Sequence, residues 1–96
     1  TTPAGLYTFT VEEGSTSGTY AFKTSNGQYL YWSSGNSLAT NASLSANTSW
    51  TVSFSGENVV IKNAKDSTRQ LQWNASSPRF ACYTTAQTAI QLYVYA

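Results

Sequence analysis

Between Val59 and Tyr95 the chain passes through four short apolar segments, VVIK, QLQW, RFACY and IQLYVY, separated by polar or turn-forming residues. The same order occurs once before, as YAFK, YLYW, LAT and WTVSF between Tyr20 and Phe54. Leu30 and Trp32 of the first set recur as Leu71 and Trp73 of the second, and Leu38 recurs as Phe80. A unit that returns after about 40 residues marks an internal repeat. The segments are short and rich in β-branched and aromatic residues, and Ser, Asn and Gly bound them, which specifies strands. No helical period survives beyond a turn. The chain is therefore expected to be all-β.

A lone strand, Leu6 to Val11 (LYTFTV), precedes the first unit, and Glu12 to Thr19 reads as a loop. Repeat one runs over 20–54 and repeat two over 59–95. Asn26-Gly27 joins YAFK to QYLYW and is a strong hairpin signal, because both residues accept positive φ. Asn41 to Ser49 is a polar loop, and SGEN links the two units. The opening strand is similar to the closing segments of both units, so it is expected to pair with the last strand, which would remove two free edges. The expected fold is one domain over 1–96: a small antiparallel barrel or closed sandwich with two pseudo-repeated four-strand units.

Only 9% of the residues are charged, against about 25% in ordinary domains. The aromatic share of 15% excludes a disordered chain. The net charge is +1, and Lys23, Lys62, Lys65, Arg69 and Arg79 are scattered. A nucleic-acid surface needs a basic stripe, so none is expected. No apolar run of about 18 residues is present, so no membrane span is expected. Cys82 is the only cysteine, which leaves no intrachain disulfide. The low-charge surface rich in Ser, Thr, Asn and Tyr matches extracellular bacterial domains, so a secreted or cell-surface location is expected. The sequence lacks a signal peptide and does not begin with Met, so it reads as a mature or excised segment. The sequons at Asn41, Asn47 and Asn74 follow from the Asn- and Ser-rich composition.

Catalytic groups are scarce. There is no histidine, so Ser-His-Asp and Cys-His relays are excluded. Cys82 shares a strand face with Phe80, has no base nearby and is expected to be a small buried hydrophobe. One cysteine and four carboxylates make no transition-metal cluster, and no calcium-loop pattern is present. Glu12, Glu13, Glu57 and Asp66 fall in turns rather than as a pair flanking one bond. No enzyme, cofactor or metal is expected.

Alternation sorts the aromatic residues. If Leu30 and Leu71 point inward, Trp32 and Trp73 do as well, and Trp50 goes with Val52 and Phe54. Tyr29, Tyr31, Tyr83, Tyr93 and Tyr95 then face outward. Cross-strand aromatic pairing would explain such a face structurally. The functional alternative is a stacking surface for sugar rings, each tyrosine offering a flat apolar body and a hydroxyl. Gln28, Gln70, Gln72, Asn74 and Arg79 would then bond the hydroxyl rim. The turn NASSPR, with Pro78 and Arg79, is a rival site on a loop. The candidate ligand-binding residues are Tyr29, Tyr31, Gln72, Asn74, Arg79, Tyr83 and Tyr93. The expected function is a non-catalytic carbohydrate-binding module, or alternatively a structural or protein-interaction domain with no glycan affinity.

The motifs NGQYL and WTV resemble the G-x-Y-L and W-x-V of the four-strand unit in β-trefoil proteins such as ricin-type lectins and fascins. A trefoil has three units, whereas this chain has two and an opening strand. The series IKN, LQWN, SPRFACY and IQLY is similar to small accessory domains at the C-termini of secreted Bacteroidetes proteins, including nucleases and glycan-processing enzymes. That resemblance covers most of the chain from about Tyr20 onward. It implies a neighbouring domain in a longer chain and assigns no ligand to any residue.

Overall fold

A computed structural model describes residues 8–76 and 79–92. The described chain is all-β and antiparallel: β1 (Thr10–Glu13), β2 (Tyr20–Lys23), β3 (Tyr29–Tyr31), β4 (Ala39–Asn41), β5 (Trp50–Ser55), β6 (Asn58–Asn63), β7 (Gln70–Asn74) and β8 (Arg79–Tyr83). A single 3₁₀ turn, Ala46–Thr48, precedes β5. The strands form one sheet in the order β4-β3-β2-β5-β6-β7-β8, with β1 paired to β2.

Pairing around β2 and β6 follows one plan. β1 lies along one edge of β2, with Thr10 opposite Lys23 and Glu13 opposite Tyr20. The other edge is shared by Tyr29 of β3, opposite Lys23, and Trp50 of β5, opposite Tyr20. β6 has β5 along one edge, from Trp50 opposite Asn63 to Ser55 opposite Asn58. Its other edge takes Gln70 of β7 opposite Lys62, and Ile90 opposite Val59 in an isolated bridge.

Several expectations change. The opening strand is Thr10–Glu13 rather than Leu6–Val11, and its observed partner is β2. Leu6, Tyr7 and Tyr93 to Tyr95 lie outside the described residues, and no pairing among the described residues closes the sheet. Asn26-Gly27 does not form a turn with two positive φ values: only Gly27 has one, at 82°. The Thr24 N–H donates to the Gln28 carbonyl at 2.7 Å, enclosing three residues that end in a left-handed glycine, a common three-residue hairpin connection.

The third change is the Asn41–Ser49 stretch, which is an internal strut. The Ser45 N–H donates to Thr48 Oγ1 at 2.8 Å, and Ser49 Oγ donates to the Ser45 carbonyl at 2.6 Å. Thr48 and Ser49 are fully buried. Such burial is tolerable because each hydroxyl has partners. Gly14 abuts this strut; a Cβ there would collide with Thr19 Oγ1 and press on Ser49.

The core takes only part of the inward set read from alternation: Phe54, grouped there with Trp50 and Val52, is exposed because it lies near the far end of β5, beyond the packed centre. Phe22, Leu30, Trp32, Trp50, Val59, Ile61, Leu71 and Cys82 pack together, with Leu38, Val52 and Ile90 at the margin. Arg69 bridges from the β6–β7 turn to the β3–β4 connection: its guanidinium lies 5.5 Å from the Trp32 ring centroid, and Nη1 donates to Asn36 Oδ1 at 2.8 Å. Trp73 departs from the expected core place. It is half-buried and meets the half-exposed Phe80 edge-on at 4.8 Å.

Candidate functional site

The register of β7 and β8 sets Gln70 opposite Tyr83, Gln72 opposite Ala81 and Asn74 opposite Arg79. Side chains alternate across a strand, so these six share the face turned away from Leu71, Trp73, Phe80 and Cys82. At the outer end of that face, three of the predicted residues meet. Asn74 Nδ2 donates to the Tyr83 hydroxyl at 2.9 Å, and Arg79 Nε donates to the same oxygen at 3.4 Å. Asn74 Oδ1 accepts the Ser76 N–H at 3.0 Å, which fixes the turn into the hairpin end. The Arg79 and Asn74 bonds, in that order, hold the Tyr83 phenol below its usual range, because donors favour the charged oxygen.

Two of the predicted residues are not the solvent-facing groups that alternation implied. Tyr83 is only 5% exposed, and Gln72 is buried as well. The loop after β8 covers that part of the face. Gln72 Nε2 donates to the Thr85 carbonyl at 3.0 Å, and Gln72 Oε1 accepts the Gln87 N–H at 2.8 Å. Gln72 is thus a clasp for the loop. Parity gave the correct face, but a face opposite the core is open to solvent only where nothing folds over it.

Tyr29 and Tyr31 are half-buried on β3, opposite Asn41 and Ala39. The Tyr29 hydroxyl donates to Glu12 Oε1 at 3.1 Å, and Lys23 Nζ lies 3.8 Å from Glu12 Oε2. No hydrogen bond among the described residues joins them to the Asn74–Arg79–Tyr83 cluster. Tyr93 lies outside the described residues. Among the described residues the candidate positions thus fall in two separate places, the β3 pair and the hairpin end. Glu12 was missed as a partner because EEGSTSGT reads as a loop; its strand place puts the carboxylate beside Tyr29. A depression of about 320 Å3 beside β1, lined by Glu12, Glu13 and Tyr20 among others, holds none of the predicted residues.

Cys82 is fully buried, and burial pushes its thiol from 9.0 up to about 12. The folded chain thus keeps the proton to higher pH than the unfolded chain does. The resulting stability is complete below pH 9 and is lost as pH rises from 9 towards 12. Iodoacetamide at pH 8.5 is expected to label Cys82 at least about a hundredfold more slowly in native than in urea-unfolded protein, since the thiolate is the nucleophile. Equal rates would contradict this.

Among the described residues, no group of three or more His, Cys, Asp or Glu side chains could hold a metal ion, and no helix is long and apolar enough to cross a membrane. The fold and site together define a small all-β domain with a polar cluster at one hairpin end. No family model matches the chain, and no curated protein matches it. Among solved structures it is similar to a chain described under "Structure and mode of action of a mosquitocidal holotoxin", with a TM-score of 0.61 and 13% identity. The match covers 91% of this chain and 11% of that one. That likeness concerns the fold.

Proposed function

We propose that the chain is a non-catalytic, carbohydrate-binding module that serves as an accessory part of a larger secreted or surface protein. The observation that carries this is the convergence of Asn74 and Arg79 on the Tyr83 hydroxyl at the end of β7–β8. Binding sites take their specificity from a few well-placed polar groups on a rigid scaffold, and two paired strands supply one here. Tyr31, half-exposed beside the small Ala39, offers a secondary place for a sugar ring to stack. An accessory role is supported by the fold's likeness to a part, 11% in length, of a longer toxin chain, and by the resemblance to Bacteroidetes C-terminal domains. The matching arrangements around β2 and β6 support a pseudo-repeated β architecture.

Absence of catalysis is supported by chemistry. The sequence has no histidine, and the one thiol is held protonated. Two of the four carboxylates already have partners: Glu12 binds Tyr29 and Lys23, and Asp66 takes the N–H and hydroxyl of Thr68.

Affinity electrophoresis of the full chain through gels containing a panel of polysaccharides tests the proposal. Retardation in at least one gel is expected, with Asn74→Ala reducing it. Migration unchanged in every gel would refute glycan binding. The alternative, a structural or protein-interaction domain, draws on the exposed apolar side chains Val11 (55%) and Phe54 (67%), which a neighbouring domain would cover.

A further inference from the structure

We infer that the cluster at the end of the β7–β8 hairpin takes an acidic sugar, one bearing a carboxylate or sulfate group. The inference rests on the glycan-binding function proposed above and narrows it to a ligand class. Its ground is the hydrogen-bonding polarity of the three side chains. The Tyr83 oxygen accepts from Asn74 Nδ2 and lies in reach of Arg79 Nε, so its acceptor capacity is occupied. No acceptor for its own proton is present among the described residues. Asn74 Oδ1 already accepts the Ser76 N–H. Arg79 is exposed on the hairpin and engages Tyr83 through Nε, which leaves the Nη N–H groups of the guanidinium as donors. The cluster therefore presents donors and almost no acceptors.

A neutral sugar hydroxyl both accepts and donates, and its proton would have to compete for acceptors already in use. A carboxylate or sulfate accepts only, and its paired oxygens match the guanidinium fork. The surrounding charge agrees. From Ser67 to Ala96 the chain has no Asp or Glu, whereas Arg69 and Arg79 both lie in this stretch. Among the described residues the ion pair formed is Lys23 with Glu12, so Arg79 has no carboxylate partner there. Arg69 is engaged with Asn36, the Cys82 carbonyl and Trp32, which leaves Arg79 as the cation available at this end.

The test measures binding of the full chain to polygalacturonate, chondroitin sulfate, and neutral dextran and xyloglucan at fixed ionic strength. Binding to polygalacturonate or chondroitin sulfate is expected; because chondroitin sulfate carries both groups, binding to polygalacturonate marks carboxylate as the recognised group, and binding to chondroitin sulfate alone marks sulfate. Arg79→Gln is expected to weaken it about tenfold or more, as loss of a charge-assisted hydrogen bond does. Tyr83→Phe is expected to weaken it several-fold. Lys62→Gln removes an equal charge from exposed β6 and is expected to change binding less than twofold. Binding to neutral glycans alone would overturn the acidic-sugar inference and leave the glycan-binding function standing. Equal losses in Arg79→Gln and Lys62→Gln would show ion exchange without a site and overturn it too. No binding to any of the four would overturn the inference; silence across the wider gel panel would refute the function beneath it.

Discussion

Trp50→Ala is expected to destabilise the domain by about 3–5 kcal/mol, a large share of the roughly 5–15 kcal/mol that holds a typical domain together. Trp50 is 0% exposed at the start of β5, where the strand turns from β2 to β6. Its ring fills the centre of the core, and Nε1 donates to the Leu30 carbonyl at 3.2 Å. Alanine leaves a cavity, removes the bond to the Leu30 carbonyl and slackens the joint between β2 and β6. Urea denaturation followed by tyrosine and tryptophan fluorescence measures the loss. Phe54→Ala serves as the comparison, because Phe54 ends the same strand on the same side yet is 67% exposed; its effect is expected to stay near 0.5 kcal/mol. A loss under about 1 kcal/mol for Trp50→Ala would contradict its place at the joint.

The second large effect is expected at a polar residue. Asn63 is fully buried at the end of β6. Its Nδ2 donates to the Asn47 carbonyl at 3.0 Å, and its Oδ1 accepts the Lys65 N–H at 2.9 Å. It thereby ties the strut before β5 to the turn after β6. The Ala64 N–H, donating to the Ser49 carbonyl at 2.8 Å, adds a second tie. Asn63→Ala removes both side-chain bonds and is expected to cost about 1–3 kcal/mol. Asn63→Asp keeps the acceptor but loses the amide donor and buries a charge, so it is expected to cost at least as much. Wild-type stability in both variants would show that the strut holds without this residue.

These two residues mark what the sequence reveals and what it hides. Trp50 was legible because WTVSF alternates, although the same period of two also turned Phe54 inward, where the structure leaves it 67% exposed. Asn63 was not. IKN reads as the end of a strand, and nothing local says that a polar side chain will be buried against a loop that precedes it in sequence. The eight strands were legible to within a few residues from short β-branched and aromatic runs, apart from the first, which lies several residues later. That shift follows from pairing: Glu12 and Glu13, poor strand formers alone, are held by Ala21 and Tyr20 across β1–β2.

The candidate site divides in the same way. Tyr83 was turned away from Phe80 and Cys82 by parity, Asn74 and Arg79 were read as polar neighbours within the NASSPR turn, and the meeting of the three follows from the β7–β8 register. That Tyr83 and Gln72 are covered depends on the chain from Thr84 to Thr88 folding back, with the Thr88 and Trp73 backbones bonded in both directions at 3.0 and 3.1 Å. A similar return joins Trp32 to Asn47, through the Trp32 N–H and the Asn47 side-chain amide. Such loop returns leave no periodic trace in a sequence, because side-chain and backbone bonds across many residues specify them.

Titration of ¹⁵N-labelled protein with an acidic polysaccharide fragment, followed amide by amide, tests the central claim most directly. The largest shifts are expected at Asn74, Ala75, Arg79 and Tyr83, with Tyr29 and Tyr31 moving less. Shifts confined to the β3–β4 pair, or a spectrum unchanged at saturating fragment, would contradict a binding site at the end of the last hairpin.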